Sequence, residues 1–600
     1  MTDLLPRAQR WLEADPDPET RAELTRLVGL ASSAEDPAQK ASALRELAER
    51  FAGPLEFGTA GLRGVIGAGE TRMNRAVVLR TSAGLARYLL AADEAAARAR
   101  GVVIGYDGRR MSREFAEDTA CTLAAAGIPA ILSPIPCPTP VTAYAVNELG
   151  AVAGVMITAS HNPPEYNGYK VYWGNGAQII PPQDKGIAAA IDASPAAKDV
   201  PRMDLDAARA KGLVRSFPTD LDDRYLAAIA ALSVRGDGDR SLSIVYTPLH
   251  GVGNRLVRAA LAAAGFSRVT TVPEQAEPDG AFPTVAFPNP EEKGAMDLSF
   301  ALAEREGATL ILANDPDVDR LAVAVRRPGG GYTQLTGNQV GTLLGHYLLT
   351  RTPACLSDDA PVEDAQKKLV IASIVSSPML GAIARAHGVR YEETLTGFKW
   401  IANRAMDLEH AEGAAFVFGY EEALGYTVGT LVRDKDGIGA ALVFAELASV
   451  IQAAGKSVLD ELEALARRYG LYASGQRSVT LPGTEGIAQI QAAMDRLRAS
   501  KPSRVGALAV LALSDFQAQV RTLPDGRTEP LTLPKSNMIA LDLEGGSRII
   551  ARPSGTEPKI KFYFDIREPI TPGEAVSAAE GRAKTRMTEL ETALSAIVGI

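Results

Sequence analysis

Short runs of β-branched and aliphatic residues alternate along most of the chain with Ala- and Leu-rich stretches whose apolar positions recur at helical spacing. Val102–Tyr106 reads as a strand, Arg113–Ala126 as a helix and Val152–Thr158 as a strand again. A second cycle comprises the strand Ser243–Thr247, a helix after Gly253, and the strands Arg268–Val272 and Thr309–Asn314. A third comprises the strand Leu369–Val375, a helix after Pro378 and the strand Ala414–Phe418. Such alternation predicts mixed or parallel sheets covered by helices, an α/β architecture. The two ends differ. Roughly the first fifty residues carry Leu and Ala at helical spacing between Asp-Pro breaks. After Gly455 come the short runs Ser478–Leu481, Met538–Leu543 and Ile560–Phe564, then a long Ala/Glu/Arg helix from Gly573 onward, which predicts an α+β domain.

A chain of 600 residues exceeds one hydrophobic core. Polar or Pro/Gly-rich stretches at Ser216–Asp223, at Arg327–Gly331 and after Gly455 divide it. The expected domains are 1–220 (a helical region plus an α/β domain), 221–328, 329–455 and 456–600. The net charge of −9 argues against nucleic acid as a partner, because a phosphate backbone needs a basic face. It leaves room for a small phosphorylated ligand held by a few local arginines. The three cysteines, Cys121, Cys137 and Cys355, are widely separated and form no Cys-x-x-Cys pair, so neither zinc nor a disulfide framework is expected. The first residues do not read as a signal peptide, and no run of about 18 apolar residues occurs, so no membrane partner is expected. A cytoplasmic location follows as the expectation.

Four segments combine turn formers with charged or hydroxyl side chains just after an apolar strand, where ligands bind in open α/β sheets. Thr158-Ala159-Ser160-His161-Asn162-Pro163-Pro164 exposes a hydroxyl beside a histidine, with Lys170 ten residues beyond Ser160. Asp315-Pro316-Asp317-Val318-Asp319-Arg320 lies between two apolar runs. In an extended segment its three carboxylates project one way, and together they demand protons or a cation. Oxygen-only ligands suit Mg²⁺, Mn²⁺ or Ca²⁺. An EF-hand fails, because Arg320 and Arg326 stand where its glycine and glutamate belong. A phosphorylated Ser160 would complete such a site with its own negative charge. Arg552-Pro553-Ser554-Gly555-Thr556-Glu557-Pro558-Lys559 offers what a phosphate dianion needs. Gly419-Tyr420-Glu421-Glu422-Ala423-Leu424-Gly425 offers paired carboxylates for proton transfer or sugar hydroxyls. Two further segments, Phe57–Gly64 with Arg63 and Thr396–Trp400 with Lys399, are equally readable as a turn and a helix start.

Several chemistries drop out. No Gly-x-Ser-x-Gly elbow surrounds Ser160. Gly455-Lys456-Ser457 ends like a phosphate-binding loop, but Val450 stands where its first glycine belongs, and Leu256 breaks a dinucleotide fingerprint after Gly251 and Gly253.

Taken in order, FGTAGLRG, TASHNPPEYNGYK, DPDVDR, GFKW, GYEEALG and RPSGTEPK make the chain resemble the α-D-phosphohexomutase superfamily over nearly its whole length. Its GYEEALGY, TLTGFKW and RPSGTEPKIKFYF resemble most the phosphoglucomutase/phosphopentomutase branch. The resemblance implies four domains around a central cleft, three similar α/β domains with mixed sheets and a C-terminal α+β domain. It implies a phosphoserine at Ser160, and one Mg²⁺ held by Ser160, Asp315, Asp317 and Asp319. Arg63, His161, Lys170 and Arg320 match positions around the reacting phosphoryl group, with Lys170 as the general acid/base. Lys399 joins the substrate contacts; Glu421 matches a sugar-hydroxyl contact, and Arg552, Ser554, Gly555 and Thr556 match the loop that grips the other phosphate. The implied activity is interconversion of glucose 1-phosphate and glucose 6-phosphate, with glucose 1,6-bisphosphate as intermediate and activator and a monomer or homodimer as the assembly. Phosphopentomutase and phosphomannomutase are the alternatives, and a non-catalytic sugar-phosphate binder is a remote one. Ala423 stands where many members carry a serine, which removes a hydroxyl contact to the sugar.

Overall fold

A computed structural model describes residues 3–33, 35–55, 61–350, 361–481, 483–554 and 559–600, and of 483 and 484 the backbone alone. Two compact units result, each built from separate stretches of chain. The first takes in Met1–Leu335 together with Gly397–Met406 and Gly425–Ser449. The second takes in Thr336–Thr396, Asp407–Leu424 and Val450–Ile600.

In the first unit, helices Leu4–Ala14, Pro18–Ser33 and Pro37–Arg50 form a small core of their own around Leu24, Leu27, Leu47 and Phe51. Proline at the start of the third helix and Asp36, which accepts the Ala38 N–H, fix where that helix begins. Arg50 at its end is buried, pairs with Glu23 and Glu46 at 2.7 and 2.8 Å, and donates to the Ala68 carbonyl at 2.9 Å. Glu23 in turn accepts the Ala68 N–H at 2.8 Å.

A six-stranded mixed sheet follows, in the order Leu62–Val65, Tyr166–Trp173, Ala153–Ile157, Val102–Tyr106, Ala130–Leu132 and Val214–Ser216. Val102–Tyr106 and Ala153–Ile157 are parallel neighbours and buried at every position, as all-apolar parallel strands must be when helices cover both faces. The strand Tyr166–Trp173 was not expected from its Tyr-Asn-Gly-Tyr-Lys pattern. It returns antiparallel from the Ser160 loop and sets Lys170 opposite Met156. A second sheet runs in the order Tyr332–Gln334, Ala322–Arg326, Leu310–Ala313, Ile244–Thr247 and Val269–Thr271. Its antiparallel pair Leu310–Ala313 and Ala322–Arg326 is joined by the aspartate-rich segment.

In the second unit, Lys368–Ser373 is flanked in parallel by Arg390–Thr394 and Ala415–Glu421. Farther along, an antiparallel sheet runs in the order Leu471–Thr480, Lys559–Glu568, Arg548–Pro553, Ile539–Leu543 and Leu508–Asp515, with two short outer strands beyond. Helices Gly483–Ser500 and Val576–Val598 build a shared core with it. This is the expected α+β part. The strand Leu471–Thr480 is longer than the run Ser478–Leu481 predicts, because all ten of its residues pair with Lys559–Glu568. Cys121 and Cys137 are buried free thiols, and Cys355 lies outside the described residues. Among the described residues no single helix is long and apolar enough to cross a membrane.

Candidate active site

The aspartate-rich segment is a tight turn, not the extended run that side-chain alternation assumes. The Val318 N–H donates to the Asp315 carbonyl at 2.9 Å, and Val318 itself is left-handed at φ +64°. That conformation is costly for a β-branched residue. It holds because Val318 is fully buried and its carbonyl accepts the Gly437 N–H at 3.0 Å. The turn, not alternation, brings one oxygen of each of Asp315, Asp317 and Asp319 within 4.8 Å of the others, at 0–1% exposure.

Three cations answer these three carboxylates. Lys170 reaches Asp317 at 2.8 Å and Asp319 at 2.9 Å, Lys435 reaches Asp319 at 3.2 Å, and the Arg320 guanidinium lies 3.9 Å from both Asp315 and Asp319. Thr139 adds a hydroxyl to Asp317 at 2.7 Å, and the Arg320 N–H donates to Asp315 at 3.0 Å. Burial and the two neighbouring carboxylates push Asp315 well above the ordinary carboxylate range. For Asp317 and Asp319 burial pushes the same way, but Lys170, joined by the Thr139 hydroxyl at Asp317 and by Lys435 and Arg320 at Asp319, outweighs it and holds both below that range. Burial pulls the Lys170 ammonium down, yet Asp317 and Asp319 prevail and keep it above the ordinary lysine value. Lys170 is therefore a fixed positive charge at neutral pH. A divalent cation fits this donor set. One oxygen of Asp317 and one of Asp319 are buried without a hydrogen-bond partner, and an all-oxygen cluster suits Mg²⁺.

Ser160 stands against this cluster. It is 3% exposed and left-handed at φ +52°, and its hydroxyl donates to Asp315 at 2.6 Å. His161 Nδ1 lies 3.1 Å from the same oxygen. Burial, then Arg320 and Arg63, hold His161 well below the ordinary imidazole value, so it is neutral at pH 7. Arg63 donates to Asn162 at 2.8 Å, and burial pulls its guanidinium down to about 10, which leaves it charged.

The loop's shape comes from a residue that motif reading passes over. Buried Arg109 donates to the carbonyls of Ser160 and Asn162 at 2.5 Å and of Pro163 at 2.8 Å, and its guanidinium lies 4.8 Å over the Phe282 ring. Asp107, two residues earlier, accepts the hydroxyls of Thr158 at 2.7 Å and Ser112 at 2.6 Å. The Thr158 hydroxyl oxygen in turn accepts the Ser160 N–H at 2.8 Å. The available signal was Asp107-Gly108-Arg109 directly after the strand Val102–Tyr106. Lys435 was missed too. Its signal was the charged run Arg433–Asp436 ahead of the apolar helix Gly437–Ala453. Asp434 accepts from Tyr172 at 2.8 Å and Gln178 at 2.7 Å, which sets Lys435 in place.

The other expected residues belong to other elements. Lys399, in the first unit, has its ammonium 5.7 Å over the Trp400 ring, and burial lowers it, with Asp184 as the opposing charge. In the second unit, Glu421 ends the strand Ala415–Glu421, and Glu422 accepts from Ser373 and Ser376 at 3.2 Å. Arg552 and Ser554 stand at the end of the strand Arg548–Pro553, where the Ser554 N–H donates to the Lys559 carbonyl at 2.7 Å. Gly555 and Thr556 lie outside the described residues, as do Phe57–Ala60 of the glycine-rich loop. Arg548, which the sequence did not single out, fastens that strand to Glu393 at 2.9 Å and to the Ser376 carbonyl at 3.0 Å.

Arg109→Lys keeps the charge but cannot reach several carbonyls at once. Turnover should fall by roughly a hundredfold, the scale on which ångström-sized misplacement of a reacting group acts. Thermal unfolding should show the protein still folded; a wild-type rate in that variant would refute the positioning role.

Models of the phosphoglucomutase/phosphomannomutase α/β/α domains I, II and III match residues 54–198, 223–330 and 336–469. A probable phosphomannomutase of Haemophilus influenzae is 42% identical over 501 residues, which are 82% of this chain and 93% of that protein. The Homo sapiens phosphopentomutase is 36% identical over 98% of this chain and 94% of its own length. In fold, the open form of the Paramecium phosphoglucomutase pp63/parafusin matches 91% of this chain and 96% of its own at a TM-score of 0.65 and 16% identity. Three family domains in order, around a chain-wide likeness to sugar-phosphate mutases, make this protein a member of the phosphoglucomutase/phosphomannomutase family within the α-D-phosphohexomutases, an isomerase of the intramolecular phosphotransferase type.

Proposed function

We propose that the enzyme interconverts glucose 1-phosphate and glucose 6-phosphate through a phosphorylated Ser160 and glucose 1,6-bisphosphate. The observation that carries this reading is the Ser160 hydroxyl, buried 2.6 Å from Asp315 in a cluster rich in fixed positive charge. In the first half-reaction the bond from phosphorus to Ser160 Oγ breaks and a bond to the free sugar hydroxyl forms. The hydroxyl proton leaves the sugar, and Ser160 Oγ takes up a proton to become a hydroxyl again, with Lys170 as the acid/base that gives the one and takes up the other, so the proton count is unchanged. The bisphosphate then turns, and its other phosphoryl group returns to Ser160.

Each residue has a part in that cycle. Lys170, held protonated at rest by two aspartates, serves as the general acid/base and brings its positive charge beside the transferring group. Arg63 and Arg320 remain cationic and stabilise charge on the phosphoryl oxygens. Neutral His161 orients the serine oxygen. Asp315, Asp317 and Asp319 with the Ser160 phosphate would hold one Mg²⁺, which supplies neutralisation of the phosphoryl charge. Lys399 and Glu421 contact the sugar, while Arg552, Ser554, Gly555 and Thr556 grip the phosphate that is not reacting.

Pentose phosphate is the second reading. Ala423 offers no hydroxyl to a hexose, and a relative that covers 98% of this chain is named phosphopentomutase. Side-by-side kcat/KM values decide between them. Glucose 1-phosphate should exceed ribose 1-phosphate by at least about tenfold, a difference of 1.4 kcal/mol in transition-state binding; a clear preference for the pentose would replace the first reading with the second.

Peptide mass spectrometry of the purified enzyme should find one phosphate on the peptide containing Ser160, lost when sugar monophosphate is added in excess. Ser160→Ala should lower turnover by roughly 10⁴-fold or more, as removal of a covalent nucleophile does; substantial residual activity would exclude the phosphoserine cycle. Chelation should abolish turnover and added Mg²⁺ should restore it. Asp317→Asn should raise the Mg²⁺ concentration needed for half-maximal rate, so an unchanged titration curve would remove Asp317 from the metal site.

A further inference from the structure

The C-terminal sheet of the second unit has two unlike faces. Ile549, Ala551, Phe562 and Phe564 belong to the apolar core it shares with the helices Gly483–Ser500 and Val576–Val598. By the two-residue period of a strand, Arg548, Ile550 and Arg552 fall on the opposite face, with Asp565, Tyr563 and Lys561 as their cross-strand partners. Carboxylates from the sheet that carries Glu393 and Glu421 act on this face. Glu393 meets Arg548 at 2.9 Å. Burial, then Glu422, push the Tyr563 phenol up, and Glu421 adds to them, while Arg552, which hydrogen-bonds to that phenol, pulls it down. The proposed sugar carboxylate and the proposed phosphate arginine thus bear on one hydroxyl.

Arg548 joins the two sheets at the start of its strand. It is buried, and beyond Glu393 its guanidinium donates to the Ser376 carbonyl at 3.0 Å, with the Asp565 carboxylate 3.8 Å away. A rigid fork of N–H donors suits this task, since one side chain must hold a carboxylate and a carbonyl together. Ser376 passes the constraint on. Its hydroxyl oxygen accepts the Glu422 N–H at 3.1 Å, and its hydroxyl donates to the Glu422 carboxylate at 3.2 Å. Glu422 directly follows Glu421, so the backbone that carries the sugar contact is held from Arg548. In the other direction, Arg552 stands four residues along the same strand and on the same face, about 13 Å away. That strand is paired on both sides, by Ile539–Leu543 and by Lys559–Glu568, and so acts as a stiff arm.

We infer that Arg548 is a positioning residue that sets sugar selectivity: it fixes the distance between the carboxylate proposed to read the sugar hydroxyls and the arginine proposed to grip the phosphate. On the reading that places the sugar at Glu421 and the phosphate at Arg552, this spacing is felt by the ring. A six-membered and a five-membered sugar ring hold their hydroxyls at different distances and angles from the phosphate, so a fixed spacing accepts one well and the other poorly. Ala423 offers no hydroxyl of its own, which leaves the discrimination to the spacing. Hydrogen bonds that the wrong substrate leaves unmade discriminate more strongly than apolar contacts do.

Steady-state kinetics on glucose 1-phosphate and ribose 1-phosphate test this in the intact enzyme. Arg548→Lys supplies a single ammonium, which cannot hold Glu393 and the Ser376 carbonyl in one fork. The kcat/KM ratio between the two sugars should narrow by about tenfold, mostly through a higher KM for the preferred one. Ser376→Ala leaves the carbonyl to Arg548 and removes the hydroxyl link to Glu422. It should narrow the ratio too, and it decides the matter if Arg548→Lys does not fold. Equal loss on both sugars would show a merely structural role and overturn the inference. An unchanged ratio, or a wild-type enzyme with no preference, would overturn it as well. Arg552→Ala separates this from the underlying reading, since it should raise KM for both sugars together. An unchanged KM there would remove the phosphate from this strand and overturn both. A raised KM beside an unmoved ratio in the Arg548 and Ser376 variants would overturn the inference alone.

Discussion

Burying Asp315, Asp317 and Asp319 together is the constraint on which the first unit is built. Isolated carboxylates that close, at 0–1% exposure, would take up protons or force the turn open. The chain answers with cations from three places. Arg320 belongs to the turn, Lys170 arrives on an antiparallel strand, and Lys435 arrives from a stretch more than a hundred residues later. That debt explains why Gly425–Ser449 belongs to the first unit and not with its sequence neighbours. Asp434 and Asp436, on either side of Lys435, fasten the stretch through Tyr172 and Tyr225 at 2.8 Å each.

The same logic shapes the loop that carries Ser160, the proposed nucleophile. A segment with Asn-Pro-Pro has few backbone donors and turns its carbonyls inward. Arg109 satisfies several of them at once, and Asp107 satisfies the hydroxyls on the other side. Ser160 keeps a left-handed backbone only because this frame over-determines it. Position, more than intrinsic reactivity, is what the fold gives Ser160, and position is what the proposed phosphoryl transfer asks for.

The parts of this design written in local pattern were legible. Buried parallel strands such as Val102–Tyr106 announce themselves as unbroken apolar runs, and DPDVDR and TASHNPP stand out at strand ends. What stayed hidden depends on distant chain. Arg109 bonds to carbonyls, which every residue has, so no pattern marks its partners. Lys435 matters only once folding brings it to Asp319. The strand Tyr166–Trp173 mixes polar and aromatic residues because it is buried on both faces yet must deliver a lysine. A left-handed Val318 contradicts its own preference, so the turn could not be inferred from residue types. In the C-terminal sheet, Ala-Ser-Gly-Gln-Arg-Ser within Leu471–Thr480 hides a strand that pairs along its whole length with Lys559–Glu568.

The N-terminal helices extend these dependencies outward. Arg50 and Glu23 grip both the carbonyl and the N–H of Ala68, and Arg50's own carbonyl accepts the Thr71 N–H at 3.1 Å. Ala68 lies three residues beyond the strand Leu62–Val65 that carries Arg63. Opening that strand must first break these bonds, so its amide protons exchange no faster than the helical bundle lets go. The N-terminal helices thereby act as a brake on the local unfolding of the strand that carries Arg63.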